Sequence, residues 1–342
     1  MFQFRNGSSV AVILALCAAV SISFAQDKQA VPESAATAED PAALLSSIVR
    51  IKVKAVADAR SSATLGRERE GTGIQIDDRG HIVTIGYIVI EPDSIEITTA
   101  DNKTVAATLV GYDHATGFGL LRASAPTGAK PIALGESSKI GEREPVMVLP
   151  FGGRETATLA RVVSTRAFTA SWEYQLESAI FTSPPTMAWA GAALINRDAK
   201  LVGVGSLLVR DSSGGGRGEP GNMFVPIDTL KPILADLIKD GKRAGPQRPW
   251  LGLATEEMQG RLFVSRVSPD SPADKAGIRQ GDIVLGISGA SVKSHADLYG
   301  KMWGLGAAGV DVPLKVLQGA ELRDINVRSI DRFEYFRAKP IL

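Results

Sequence analysis

Cysteine is all but missing: one residue, Cys17, in a chain of 342. That excludes a disulfide framework and any cysteine-based zinc site. Three histidines leave little scope for a histidine-rich metal centre, so no metal and no cofactor is expected. Charge of one sign is absent too, with Lys+Arg 38 against Asp+Glu 37. A balanced chain is not polybasic, so nucleic acid is not the expected main partner. Long apolar runs are confined to one place, residues 10–20, and that run falls short of the ~20 residues that span a bilayer. What the chain does have is a hydrophobic fraction of 44% and 35 glycines. The first is ample for packed cores and excludes a disordered chain. At ~100–200 residues per domain, the length suggests two or three domains.

Residues Met1 to Ala25 carry one charge, Arg5, then the apolar run, then Ser23-Phe24-Ala25 with small residues at both positions that a signal peptidase reads. This pattern predicts a secretory signal peptide cleaved before Gln26. Leu16 before Cys17 is not the small residue a lipidation site requires. The mature chain would hold no cysteine, no net charge and no membrane span, and would reside in the periplasm or outside the cell. Residues 26–42, rich in Ala, Glu and Asp, read as a flexible tail.

The body alternates short apolar runs with turn signals such as Asp77-Asp78-Arg79-Gly80. Strands are expected near Thr72–Ile76, His81–Ile85, Ile95–Thr99, Ala106–Tyr112 and Gly119–Arg122. A second set follows at Pro145–Leu149, Thr158–Arg166, Ala179–Thr182, Gly191–Ile195 and Leu201–Ser206. Two similar sets of short strands suggest two barrels packed together. The glycine-rich stretch Ser212 to Gly218 precedes a strand-like Phe224-Val225 instead of a helix, so it reads as a surface loop and not as a phosphate cradle. Asn102-Lys103-Thr104 reads as a hairpin turn. A helix is expected after Pro226-Ile227, capped by Asp228, with Leu230, Leu234, Leu237 and Ile238 on its apolar face and Gly241 at its end. Residues 242–249, polar and rich in Pro and Gly, form a linker. A second domain then runs over 250–332, with strands at Arg261–Val267, Ile283–Ile287, Val310–Leu317 and Leu322–Val327, a turn of helix at Asp270–Gly277, and a helix that Ser294 caps, from His295 to about Leu305. Residues 333–342 are expected as a tail.

The order of these motifs resembles the HtrA-type (Deg-type) family, a trypsin-like double barrel followed by a PDZ domain. Gly71-Thr72-Gly73-Ile74-Gln75-Ile76 with Gly80-His81-Ile82-Val83-Thr84 resembles its G-S-G-x-x-I…G-x-I-V-T. Gly111-Tyr112-Asp113 with Thr116 resembles its G-x-D-x-x-T, and Phe224-Val225-Pro226-Ile227-Asp228 its F-A-I-P-I-D. Trp250-Leu251-Gly252-Leu253, Val267-Ser268-Pro269 and Ala276-Gly277-Ile278-Arg279-Gln280-Gly281-Asp282-Ile283-Val284 resemble its PDZ module. The fold class implied is mostly β: two Greek-key barrels over 43–241, then a PDZ domain.

The same resemblance locates three catalytic positions, and all are replaced. The family's histidine falls at Tyr87, a phenol of pKa ~10 that would not act as a base near neutrality. Its aspartate falls at Gly117. Its nucleophile, in G-N-S-G-G-P-L, falls at Ala190 within Ala188-Trp189-Ala190-Gly191-Ala192-Ala193-Leu194. Ala188 stands where a glycine amide helps to bind the oxyanion, and alanine resists the positive φ a glycine accepts there. Acyl transfer needs nucleophile, base and orienter together. His81 near a strand start, His114 in a loop, His295 in the second domain, Ser178 and Ser183 offer no pair at matched spacing.

What the resemblance leaves functional is the PDZ groove, which takes an extended peptide as an added strand. Backbone amides of Trp250-Leu251-Gly252-Leu253 would hold a terminal carboxylate, with Arg248 adding charge. Leu298 and Met302, at i and i+4, would either line the pocket for the last side chain or belong to the core. The expected partners are protein C-termini or unfolded polypeptide, and homologous proteases as a further class. The expected role is a non-catalytic adaptor, sensor or holding chaperone. The alternatives are an active HtrA-type endopeptidase with a rebuilt centre, or a regulator of an active homologue. Family trimers pack through aromatic residues near the barrel's N-terminus, and none occurs between Gln26 and Gly86. An oligomer stays open, but a trimer of that kind has no aromatic residue to build it.

Overall fold

A computed structural model describes residues 41–216 and 218–336. The expected signal peptide, most of the expected N-terminal tail and residues 337–342 lie outside the described residues. The short helix α1 (Pro41–Ser46) leads into the first barrel, so residues 41 and 42 are helical and not tail.

The first barrel is built from β1 (Ile48–Ala55), β2 (Glu68–Gln75), β3 (His81–Ile85), β4 (Pro92–Thr98), β5 (Thr104–Tyr112) and β6 (Phe118–Ala123), with the one-turn helix α2 (Ser62–Leu65) between β1 and β2, and closes in the order β1-β2-β3-β6-β5-β4. The strand β1 opens the barrel ahead of the first run expected from sequence. Its alternation is plain in the fold: Val49, Ile51 and Val53 point inward while Lys52 and Lys54 face solvent. The second barrel comprises β7 (Pro145–Leu149), β8 (Thr158–Ala170), β9 (Tyr174–Ser183), β10 (Ala193–Ile195), β11 (Leu201–Val209) and β12 (Gly221–Pro226), closed as β10-β11-β12-β9-β8-β7. Closure leaves neither barrel with a free edge. Buried Ile, Val and Leu side chains of both barrels form the core, among them Ile74, Ile82, Leu120, Leu121, Leu201 and Val225.

The β8–β9 hairpin is longer than the sequence pattern suggests. Pairing continues past a register shift between Arg166 and Phe168 to Ala170 opposite Tyr174. A bulge of this kind breaks the clean alternation on which strand reading depends. The glycine-rich stretch is a loop, as expected. The Asp211 carboxylate accepts the Gly216 amide at 2.7 Å and the Gly214 amide at 3.1 Å, so the loop's inward amides are already satisfied.

After β12 come two 3-10 turns and the helix α3 (Leu234–Asp240), which Gly241 ends in a left-handed conformation. The apolar face differs from the expected one. Leu230, Ile233 and Leu237 are buried, whereas Ile238 is exposed. The 3-10 turns shift the phase of the face by a residue. Asp228 does not cap this helix. Its carboxylate accepts the Ser138 amide at 2.8 Å and the Lys231 ammonium at 2.6 Å, which hold it at about 2, well below the usual carboxylate range, against the opposing effect of partial burial.

The PDZ domain has the sheet order β13-β14-β15-β17-β18, from β13 (Leu253–Met258), β14 (Arg261–Val267), β15 (Ile283–Ile287), β17 (Asp311–Gln318) and β18 (Glu321–Arg328), with the two-residue β16 (Ala290–Ser291) beside β15. The turn α4 (Pro272–Lys275) is capped by Ser271, and α5 (His295–Trp303) by Ser294, whose hydroxyl accepts the Asp297 amide at 3.1 Å. Residues 333–336, expected as tail, are packed instead. The short helix α6 (Arg332–Tyr335) stacks Phe333 on Tyr112 of the first barrel at 4.4 Å, and Tyr335 is buried against Trp250 at 4.6 Å. Four residues are too few to show a periodicity, so only their aromatic content could have marked them.

Buried Asp113 holds the segment 242–249 to the first barrel. It accepts the Thr116 amide at 2.8 Å and the Thr116 hydroxyl at 2.6 Å, and pairs with the Arg243 guanidinium at 2.8 Å. Removing Asp113 leaves the Thr116 hydroxyl and the partly buried Arg243 guanidinium without their partner, and a polar group left unsatisfied in this way costs about 1–3 kcal/mol. Asp113→Ala is therefore expected to lower the unfolding free energy from urea titration by an amount in that range, whereas Asp311→Ala, in an exposed pair with Arg328, changes it by less than about 1 kcal/mol.

Candidate functional site

Two places concentrate the residues singled out above: the cleft between the barrels and the loop that opens the PDZ domain.

In the cleft, Tyr87 sits on a 3-10 turn after β3. Its hydroxyl donates to the Ser206 carbonyl oxygen at 2.9 Å and accepts from the Trp189 side chain. Burial pushes this phenol above its ordinary pKa, and the Trp189 bond offsets only part of that. It stays protonated and cannot take a proton from a nucleophile. Gly117 has a φ of +85°, and a Cβ there would stand 3.0 Å from the Tyr174 hydroxyl oxygen. Tyr174 fills the space an acidic side chain would need, and its hydroxyl donates to the Thr116 carbonyl at 2.7 Å. Ala190 presents only a methyl group, and its carbonyl accepts the Thr72 amide at 2.9 Å. Ala188 does not adopt positive φ, and its amide donates to the Thr186 hydroxyl at 3.3 Å. An amide engaged in this way is not aimed at a developing oxyanion. The space left in the cleft is a cavity of about 90 Å³ lined in part by Tyr87, Trp172, Tyr174 and Ser206. Ligand clefts run to about 300–1,000 Å³.

The remaining candidates lie elsewhere. The His81 Nδ1 is bonded to Asp77 at 2.6 Å across its own turn. His114 is stacked among Tyr112, Phe333 and Phe336, and burial, with Arg332 nearby, depresses its pKa well below the ordinary imidazole value. The Ser183 hydroxyl donates to the Pro220 carbonyl at 3.3 Å. Among the described residues no serine hydroxyl is bonded to a histidine ring, and no group of three His, Cys, Asp or Glu is placed to hold a metal ion.

The loop 250–253 is a different matter. Leu251 N–H donates to Glu173 Oε2 at 2.9 Å and Leu253 N–H to Oε1 at 2.8 Å, and the Gly252 amide bonds the same carboxyl group. Gly252 has a φ of +87°, and a Cβ there would come within 2.4 Å of the Ser271 Cβ, so no other residue fits this turn. Three amides converging on one carboxylate make an anion nest. Trp250 supports the nest from behind, paired in both directions with Ile330 and packed on Tyr335.

Arg248, Leu298 and Met302 do not join it. Arg248 lies over the Trp303 ring at 4.2 Å and reaches the Gln175 carbonyl. The cation beside the carboxylate is Arg332, from the segment expected to end the domain. Leu298 and Met302 are buried in the PDZ core. The helix face that fills the groove carries Tyr299, whose hydroxyl accepts the Glu173 amide and donates to the Ala170 carbonyl, both at 2.9 Å. His295, one turn earlier, binds the Thr255 carbonyl at 2.8 Å. The stripe His295, Tyr299, Trp303 was visible as an i, i+4, i+8 aromatic row. Glu173 had no such signal, because its role depends on a fold that brings residue 173 to residue 251.

Two family models match the chain: a trypsin-like peptidase domain over residues 71–204 and a PDZ domain over residues 249–328. A relative from Marinomonas sp., named a probable periplasmic serine endoprotease DegP-like, is 29% identical over 248 residues, 68% of this chain and 51% of that protein. Protease Do-like 1 of Arabidopsis thaliana, named chloroplastic, is 28% identical over 75% of this chain and 62% of its own length. The structure of the HtrA-type protease AlgW with a decapeptide matches with a TM-score of 0.50 at 17% identity, covering 88% of this chain and all of that one. The chain joins a trypsin-like peptidase domain to a PDZ domain and is similar to HtrA-type proteins. It spans little more than half the length of the curated relatives it matches. Trypsin-like barrels followed by a PDZ domain are both present, and among the described residues no helix is long and apolar enough to cross a membrane.

Within this fold the Glu173 carboxyl is under opposing electrostatic influences. Burial pushes it up to about 7, while the Leu251 and Leu253 amides, Arg332 and the Gly252 amide pull it down. A folded-state value above the ordinary carboxyl value means the folded protein holds this proton more tightly than the unfolded chain. The contribution of Glu173 is therefore fully present at low pH and is lost as pH rises toward and through about 7. The stability of the wild type relative to Glu173→Gln is expected to fall between about pH 5 and about pH 8 in thermal melts. A difference that does not change over that interval would contradict this assignment.

Proposed function

We propose that this chain is a non-catalytic HtrA-type protein of the periplasm or cell exterior. Its PDZ domain binds exposed C-termini or unfolded segments of other exported proteins, and the chain acts as an adaptor, sensor or holding chaperone. The observation that carries the loss of catalysis is the occupation of the cleft. Tyr87 is bonded to Ser206 and Trp189, and Tyr174 fills the space beside Gly117, so the replaced positions serve a closed structure. The observation that supports peptide capture is the amide nest at 251–253, built for a carboxylate. Relatives named as periplasmic serine proteases support the compartment, and the signal peptide expected over 1–25 agrees with it.

The names of those relatives equally favour an active endopeptidase, and labelling decides between the two readings. The purified chain is expected to show no labelling by a fluorophosphonate serine probe and no cleavage of unfolded casein. Ala190→Ser alone is expected to remain inactive, because base and orienter are still missing. The triple variant Tyr87→His, Gly117→Asp, Ala190→Ser is expected to melt lower than the wild type, since an aspartate at φ +85° meets the Tyr174 hydroxyl, a strain of about 1–3 kcal/mol. Probe labelling of the unmodified chain at a single serine would overturn the non-catalytic reading.

A further inference from the structure

The PDZ groove is already filled, and what fills it is part of the same chain. The loop Ser171-Trp172-Glu173, between β8 and β9, lies between β13 and α5. Its contacts are those that a strand-adding peptide makes. The Glu173 carboxylate rests on the amides of Leu251, Gly252 and Leu253. Two residues earlier, the Ser171 carbonyl accepts the Thr255 amide at 3.0 Å. The later residue of the tip therefore stands at the start of β13 and the earlier one further along it, an antiparallel register. β13 is the edge strand of its sheet and pairs only with β14. From the opposite wall, Tyr299 bonds the tip at the Glu173 amide and the Ala170 carbonyl.

The backbone gives a second, independent indication. Glu173 has a φ of +57°, the left-handed conformation that the last residue of a three-residue hairpin loop adopts and that glycine fills without strain. A glutamate is kept at a position its backbone disfavours, and the feature that distinguishes it there is the carboxylate it delivers to the nest.

We infer that Glu173 is the resident ligand of this PDZ groove: its side-chain carboxylate stands in for the terminal carboxylate of a peptide, and an outside C-terminus binds only where the hairpin tip has withdrawn. The inference rests on the proposal above that the groove takes peptides. A tethered ligand competes at a high effective concentration, so a weak internal contact suffices to hold the groove shut. The observed affinity for an external peptide is then reduced by the fraction of molecules with the tip withdrawn. The partner this selects carries a free C-terminal carboxylate and an extended last few residues. An internal unfolded segment, lacking that carboxylate, does not replace Glu173 in the nest.

The test uses the full chain and two variants. Glu173→Gln keeps the length of the side chain without its charge. Glu173→Gly removes the carboxylate and suits the left-handed backbone, so it keeps the hairpin folded. The probes are fluorescein-labelled decapeptides ending in free Val, Phe or Ala, and the same peptides with a terminal amide. Binding is read by anisotropy, and hydrogen exchange of the 250–255 amides is followed without peptide. Both variants are expected to bind at least one free-acid peptide about tenfold more tightly than the wild type, to leave the amide forms unbound, and to exchange the Leu251 and Leu253 amides faster. Equal affinity and equal exchange in wild type and variants would overturn the resident-ligand assignment while leaving peptide binding intact. Faster exchange in the variants with no binding of any peptide would uphold Glu173 as the resident ligand and count against the peptide-binding function. Unchanged exchange with no binding would overturn both.

Discussion

The seating of one carboxylate on three backbone amides determines how the two halves of this protein are arranged. The PDZ loop 251–253 is an anion site by construction, since its glycine turn points successive N–H groups at one spot. An empty nest would leave those amides to water. Here the barrel supplies the anion, and it does so only because β8 and β9 pair as far as Ala170 and Tyr174. Tyr299 on the tip and Arg332 beside the carboxyl complete that buried seat.

Exclusion of water makes the arrangement tense. A buried carboxylate is costly unless its hydrogen bonds and neighbouring charge offset its lost hydration. Glu173 has both kinds of support, yet burial still raises its pKa. Arg332 is affected in the same way: burial lowers its pKa and Glu173 opposes that, while its Nε finds no hydrogen-bond partner. A carboxyl held by three amides and opposed by its own burial is the balance expected of a ligand that an outside carboxylate can replace.

The sequence made the fold legible wherever a local rule applied. Turn residues separated the barrel strands, Ser294 marked a helix start as a cap, and the PDZ stretch around Gly277 to Val284 identified its module. The residue types at Tyr87, Gly117 and Ala190, on which the proposed absence of catalysis rests, are read directly from the sequence. Other features were not legible because they are non-local. Nothing near residue 173 in the chain distinguishes it from any polar turn residue. Leu298 and Met302 share a helix face with apolar periodicity, and periodicity cannot say whether that face meets core or groove; the fold turns it inward. Arg248 has the right charge in the right neighbourhood, and the Trp303 ring holds it away from the nest.

The cleft and the groove cannot be considered separately, because consecutive residues serve them. Glu173 enters the PDZ nest, and Tyr174, the next residue, fills the space beside Gly117 and bonds the Thr116 carbonyl. Trp172 lies stacked near Tyr174 at the mouth of the same cavity. The hairpin conformation that seats Glu173 on the amides of residues 251–253 therefore also sets Tyr174 against Gly117, whose φ of +85° and lack of a Cβ leave room for the phenol.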